Sequence, residues 1–266
     1  MNFTTALPSM IKSVLFDIDG TLIARGQALP GAIEALASVR RHGIAMRFLT
    51  NITGRGPELI AAELQRQGLP IEGHEIQTAT TACVEYLKSR PGMTCHLIVP
   101  PSVRPMFDGV AIDDQEPDVV VISDIGEQFN FQVLNRAFLM LRAGAELVVP
   151  QKGLFWFDHD GPKLDCGSFI VGLEAATGKE ATVTGKPAEL FFHRALAHVD
   201  CRANETLVIG DDLGTDVLGA ARIGAASALV GTGKYAPGAE RTGPVRPDYF
   251  LPTLELLPRL LSTLRG

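Results

Sequence analysis

The sequence predicts an α/β protein: a Rossmann-like, doubly wound parallel sheet carrying an inserted, smaller α/β domain. Three observations predict it. Short apolar runs such as Val14 to Phe16 and Ala226 to Val230 are continuous rather than alternating, as in strands covered on both faces. Between them lie segments with apolar residues at helical spacing, and regular β-α alternation builds a parallel sheet with right-handed crossovers. Finally, the middle of the chain carries a strand-helix set of its own, after which the first pattern resumes at Ala181.

In order, the first strand is Val14 to Phe16, and it delivers Asp17-Ile18-Asp19-Gly20-Thr21 to its carboxyl end. That end is where open α/β sheets bind ligands. Strand alternation predicts Asp17 and Asp19 on one side, two carboxylates that repel unless a cation sits between them. Mg²⁺, a hard ion that takes oxygen ligands, suits the place. The same residues also read as a polar turn, since Asp and Gly dominate turns for ordinary reasons. A helix follows from Ala32 to His42, stopped by Gly43, and then a strand from Ile44 to Leu49 that ends at Thr50-Asn51, a neutral pair able to bond phosphate oxygens or to cap a turn. Glu58 to Gln67 is a helix opened by Pro57 and stopped by Gly68. Ile76 to Thr78 is a strand, and Thr80 or Thr81 caps the helix bearing Val84 and Leu87.

The inserted unit, placed at residues 80–179 between core segments 1–79 and 180–266, has strands at His96 to Val99, Val119 to Ser123 and Glu146 to Val149. Its helices run from Phe131 to Arg142, with Leu134, Phe138 and Leu141 on one face, and from Ser168 to Thr177, closed by Gly178. Leu154 to Phe157 meeting Asp160-Gly161 predicts a hairpin. Core strands then resume at Thr182 to Thr184 and at Thr206 to Ile209, the latter ending in Gly210-Asp211-Asp212. A helix over Thr215 to Ile223, a strand over Ala226 to Val230, a loop over Pro237 to Pro247 and a leucine-faced helix over Leu254 to Leu264 complete the chain.

Composition excludes several classes. The 266 residues carry a net charge of −6, which disfavours nucleic-acid or anionic-membrane partners. Four scattered cysteines, Cys83, Cys95, Cys166 and Cys201, form no Cys-x-x-Cys pair and argue against a zinc site or disulfide framework, leaving a cytoplasmic protein as the expectation. No apolar run approaches the ~20 residues of a membrane span. Met1 to Met10 lacks the basic and apolar regions of a signal peptide and is expected to be a disordered lead.

Four strand ends are thus expected to gather polar groups in one crevice: Asp17 and Asp19; Thr50 and Asn51; Lys186, just past the third; Asp211, Asp212 and Asp216 at the fourth. Carboxylates for a metal, neutral donors and one lysine suit phosphoryl transfer. Each also has a plainer reading: Lys186 as a solvated loop residue, Asp212 as a helix cap, Asp216 as an acid favouring a helix's first turn.

The set Asp17-Ile18-Asp19-Gly20-Thr21, Leu49-Thr50-Asn51, Gly185-Lys186-Pro187 and Gly210 to Asp216 resembles motifs one to four of the haloacid dehalogenase (HAD) superfamily, in chain order. The domain inserted between motifs two and three resembles the C2 cap of subclass IIA, the NagD-like phosphatases. Leu164 to Phe169, Val183 to Pro187 and Gly231-Thr232-Gly233-Lys234-Tyr235 are similar to the branch that includes phospholysine phosphohistidine inorganic pyrophosphate phosphatases. The resemblance implies a Mg²⁺-dependent phosphatase working through an aspartyl-phosphate on Asp17, with Asp19 as acid and base and Lys186 neutralising charge. Asp17, Ile18, Asp19, Thr50, Asn51 and Lys186 would hold the phosphoryl group. Asp17, the Asp19 carbonyl and Asp211 would ligate Mg²⁺, with Asp212 and Asp216 supporting them from behind. Gln151 and Lys152 stand where such caps present a substrate-facing loop, and a cap-mediated homodimer is also implied. Trp156, Asp158, His159 and Asp160 read as a ligand cluster, a solvated hairpin tip or a dimer contact. His42, His74, His96, His193 and His198 receive no chemistry. A catalytically silent phospho-ligand binder and a phosphotransferase or mutase stand as alternatives.

Overall fold

The computed structural model describes residues 10–158 and 161–264. The lead expected over Met1 to Met10 lies, up to residue 9, outside them, as do His159 and Asp160 of the hairpin. From the start, the elements are β1 (Ser13–Asp17), the hairpin strands β2 (Ile23–Ala24) and β3 (Gln27–Ala28), α1 (Ala32–Arg41), β4 (Ala45–Thr50), α2 (Pro57–Arg66), β5 (Ile76–Thr78) and α3 (Ala79–Lys88). Next come β6 (Cys95–Ile98), β7 (Val119–Ile122), α4 (Phe131–Ala143), β8 (Glu146–Val149), β9 (Phe155–Asp158), β10 (Gly161–Leu164), α5 (Gly167–Thr177) and β11 (Thr182–Val183). The last part holds α6 (Glu189–Val199), β12 (Thr206–Gly210), α7 (Leu218–Ile223), β13 (Ala226–Val230), α8 (Ala239–Thr242), β14 (Tyr249–Leu251) and α9 (Leu257–Leu264).

The chain divides into two compact units, one made of Asn51–Gly56 and Thr78–Gly185, the other of the remaining segments. In the unit made of the remaining segments, six strands run in the order β14-β13-β12-β1-β4-β5. β1 pairs in parallel with β12 and β4, β12 with β13, and β13 with β14. Every residue of β1 is buried, which explains why its sequence is continuous rather than alternating. Phe16 stacks on Phe48 of the neighbouring strand at 5.8 Å, and α9 turns Leu257 and Leu261 inward. The three-residue edge strand β14 was not anticipated, and the short helix α8 lies within the stretch expected to be loop.

The inserted unit has a four-stranded sheet in the order β11-β8-β7-β6, parallel throughout, with a core on each face. Val120, Ile122 and Val149 point to α4 and α5, meeting Leu141, Ile170 and Leu173. Val119, Val121 and Val148 point the other way, to Cys83, Val84 and Leu87 of α3. The alternation within β7 and β8 thus feeds two apolar layers.

Four expectations need correcting. Thr182-Val183, read as a core strand, is β11 and pairs with β8 of the inserted sheet, and Thr184 N–H adds a bond to Val149 C=O at 3.0 Å. Those bonds take residues up to Gly185 into the inserted unit, so the return to the core falls at Lys186 rather than at residue 180, and the outward crossing falls after Gln77 rather than after residue 79. The cap of α3 is Thr78: its hydroxyl accepts from Thr81 N–H, and the Thr81 hydroxyl accepts from Thr78 N–H, a reciprocal box that outcompetes a start at Thr80 or Thr81. The helix expected from Thr215 begins instead as a π-turn over Leu213–Val217 before α7, a widened turn of the kind found at functional sites.

Candidate active site

β1 and β12 are neighbours, so Asp17 at the end of one and Asp211 just past the end of the other come together. The π-turn adds Asp216. Carboxylate oxygens of Asp17, Asp211 and Asp216 all lie within 4.8 Å of one another, the one acidic group among the described residues close enough to hold a metal ion. All three are buried, at 6%, 3% and 2% exposure, and burial of like charges so close demands compensation.

Part of it comes from Lys186, 5% exposed, whose ammonium donates to Asp17 Oδ1 at 2.5 Å and to Asp216 Oδ1 at 2.8 Å. Burial alone would lower the Lys186 ammonium, but the two carboxylates outweigh it and hold it firmly protonated. Burial, then repulsion from Asp17 and Asp216, pushes Asp211 up out of the ordinary carboxylate range. Asp216 is likewise raised by burial and Asp17, against the opposing pull of Lys186. Three carboxylates and one ammonium leave a formal charge of −2, the complement of one divalent cation, and the donor set is all oxygen, as hard cations require.

The remaining residues fall around this cluster. Thr21 Oγ1 donates to Asp17 Oδ2 at 2.7 Å, and Gly210 lies so close that a Cβ there would overlap the Asp216 carboxylate. Asp212 caps the π-turn, accepting from Gly214 N–H at 2.7 Å, and pairs with Lys234 Nζ at 3.0 Å. Burial would raise Asp212, but Lys234 prevails and lowers it. Asp19 is exposed and is not one of the three carboxylates gathered within 4.8 Å. β1 ends at Asp17, two residues short of Asp19, and the chain turns through Gly20 at φ 90°. Thr50 Oγ1 reaches Asp19 Oδ2 at a long 3.4 Å. Ile18 is buried beneath the turn.

Asn51 belongs to the inserted unit, with its side-chain oxygen against Gly185, where a Cβ would stand 2.7 Å away. Lys186 therefore does not follow a core strand, as expected; it is the first core residue after the inserted sheet. Gln151 is buried at the end of β8, donating to Asp165 Oδ1 at 2.7 Å, and Lys152 pairs with Glu174 at 2.6 Å. In the hairpin, Phe155 and Trp156 are 58% and 44% exposed. His96 is tied to Asp114 at 2.6 Å.

Sequence reasoning gave no role to Thr21, Thr232 or Lys234. The last two sit in Gly231 to Tyr235 after β13: Lys234 N–H donates to Asp211 Oδ2 at 2.6 Å and Thr232 Oγ1 to Gly20 C=O at 2.6 Å. Gly-Thr-Gly after a buried strand was the available signal.

Comparison with known proteins agrees with this geometry. A haloacid dehalogenase-like hydrolase model matches residues 14–113, and a HAD-hydrolase-like model matches residues 183–257. The chain is 37% identical over 252 residues to phospholysine phosphohistidine inorganic pyrophosphate phosphatase of Rattus norvegicus, covering 92% of each. It is 39% identical over 255 residues to haloacid dehalogenase-like hydrolase domain-containing protein 2 of Mus musculus, covering 95% of each. Among solved structures, a 4-nitrophenylphosphatase from Thermotoga maritima superposes with a TM-score of 0.88 at 26% identity, over 94% of this chain and 97% of that one. NagD from E. coli K-12 shares the fold with a TM-score of 0.85 at 24% identity, over 93% and 98%.

Proposed function

The chain belongs to the haloacid dehalogenase-like hydrolases, in their NagD-like, capped subclass IIA, and from that membership we propose a Mg²⁺-dependent phosphatase acting on small phosphorylated metabolites through an aspartyl-phosphate. As an enzyme it is a phosphoric monoester hydrolase. The observation that carries the finer reading is the Lys186 ammonium lying between Asp17 and Asp216, in a buried cluster that also holds Asp211.

A divalent cation held by Asp17, Asp211 and the Asp19 carbonyl would supply charge stabilisation to the phosphoryl oxygens. The protein's own groups do the rest. An Asp17 carboxylate oxygen forms a bond to phosphorus while the bond from phosphorus to the leaving oxygen breaks, and Asp19 gives that oxygen its proton. Its exposed position leaves Asp19 able to exchange protons with solvent. A water then attacks phosphorus, Asp19 takes its proton, and phosphate departs as Asp17 is regenerated. Lys186 aims Asp17 through one oxygen, Thr21 fixes its second oxygen, and Thr50 and Asn51 bond the transferring group. Gln151 and Lys152 of the inserted unit are assigned to substrate choice, and the four cysteines, all free thiols, favour a cytoplasmic setting. Among the described residues no helix is long and apolar enough to cross a membrane.

The test is purified protein with 4-nitrophenyl phosphate and a panel of phosphorylated metabolites including pyrophosphate and a phosphoramidate. Phosphate release should require added Mg²⁺, stop with a chelator, and fall by about a thousandfold or more in Asp17→Asn, in keeping with loss of a covalent nucleophile. Turnover by Asp17→Asn near the unaltered rate would refute the mechanism.

The hairpin is assigned to a homodimer, since Leu154, Phe155, Trp156 and Leu164 are all exposed on a two-stranded sheet with open edges. Light scattering should show a dimer that Trp156→Glu converts to monomer; a monomeric unaltered protein would remove this assignment.

A further inference from the structure

Resting on the cation site just proposed, we propose that Gly231 to Tyr235 is a clamp that sets the Asp211 carboxylate for a divalent ion, with Thr232 as its positioning residue. The segment joins two turns far apart in sequence. At one end of its reach Lys234 N–H holds Asp211 Oδ2 at 2.6 Å; at the other the Thr232 hydroxyl holds Gly20 C=O, in the turn after β1, at 2.6 Å. Contact is so close that no side chain fits between. Gly20 has φ 90° and Gly233 φ 56°, and a Cβ on either would overlap the Asp211 carboxylate; on Gly233 it would also stand 2.6 Å from Gly20 Cα. Both glycines are thus required by conformation and by space.

The clamp is itself anchored. Gly231 N–H donates to Leu251 C=O at 2.8 Å, joining it to β14, and the Tyr235 ring lies against Phe250 at 5.1 Å. The Tyr235 hydroxyl donates to Glu240 at 2.6 Å and accepts from Gly238 N–H at 3.1 Å. This gives a purpose to the unanticipated edge strand and short helix: β14 and α8 brace a loop that bears on the acid. The physical need is clear. Asp211, crowded by two other carboxylates, would otherwise turn away. One fixed N–H on Oδ2 sets the carboxylate plane. Outer partners of this kind commonly govern affinity as much as the ligands do.

The test measures Mg²⁺ binding by calorimetry on substrate-free protein. Thr232→Val, which keeps the shape and loses the hydroxyl, should weaken Mg²⁺ binding about tenfold, and Thr232→Ser should restore it. In the unaltered protein, Mg²⁺ should slow hydrogen exchange of the 231–235 amides, a measurement that stands even if Thr232→Val fails to fold. If the unaltered protein binds no Mg²⁺, the cation site itself is refuted. If it binds Mg²⁺ while Thr232→Val binds equally well, or while the 231–235 amides are unaffected, the site survives and the clamp is refuted.

Discussion

Asp17 has two hydrogen-bonded oxygens, one on Lys186 and one on Thr21, yet it sits within reach of two further buried carboxylates. Its stability and its chemistry therefore pull in opposite directions. Asp17→Asn keeps an acceptor oxygen for Lys186 but removes one of three crowded negative charges, so without metal the variant should melt no lower than the unaltered protein while losing turnover. A scanning melt with and without Mg²⁺ reads both effects, because the variant's site, one charge poorer, should also gain less from the ion. A clearly lower metal-free melting temperature would mean that the Asp17–Lys186 pair outweighs the repulsion. At this scale much of the site was legible, since carboxylates, a lysine and a threonine at strand ends have few other reasons to recur together. What was not legible was the backbone. The Lys234 N–H on Asp211 leaves no mark in side-chain identity, and only the glycines that make room for it do. Nor does pattern show where a strand ends, because its neighbours decide that: β1 stops at Asp17, before Asp19.

Among the elements, the helices were read closely because each buries a periodic apolar set and the long strands because each is a continuous apolar run, whereas the errors cluster where a few residues choose between partners. Thr182-Val183 carries no mark of which sheet it joins; only its bonds to Val148 and Val149 decide. The three-residue β14 is too short for any period to show. Element ends are also fixed by polar ties that pattern does not reveal. Arg90, just past α3, grips Glu146 at the start of β8 through two bonds of 2.6 and 2.8 Å. The Arg90 bond holds Glu146 below its ordinary value against the opposing effect of burial. A lowered carboxylate stabilises the fold above its unfolded value and loses that contribution as pH falls through the folded one. Glu146→Gln should therefore cost under about 1 kcal/mol at pH 7, as for other partly exposed pairs, with the difference vanishing in acid. Denaturant melts of both proteins across the acid range check this; a cost that persists unchanged at low pH would show that the pair acts by shape rather than charge.

For the whole molecule, the two-unit organisation was readable from the restart of the β-α pattern, and its borders were not, because chain crossings are drawn by hydrogen bonds rather than by composition. The division has a thermodynamic consequence. The gathered carboxylates Asp17, Asp211 and Asp216, Lys186, and the Gly231 to Tyr235 segment all belong to one unit, while the sheet of β6, β7, β8 and β11 has cores and helices of its own. A ligand stabilises what it binds, by about 2.7 kcal/mol at a hundredfold excess over Kd. Mg²⁺ should thus raise protection in β1, β12 and the turns after them and leave the amides of β7 and β8 unchanged, because separate cores open as separate cooperative units. Hydrogen exchange with and without Mg²⁺ measures this directly. Equal gains in both sheets would mean that the two cores melt as one and that the inserted unit draws its stability from the metal-binding half.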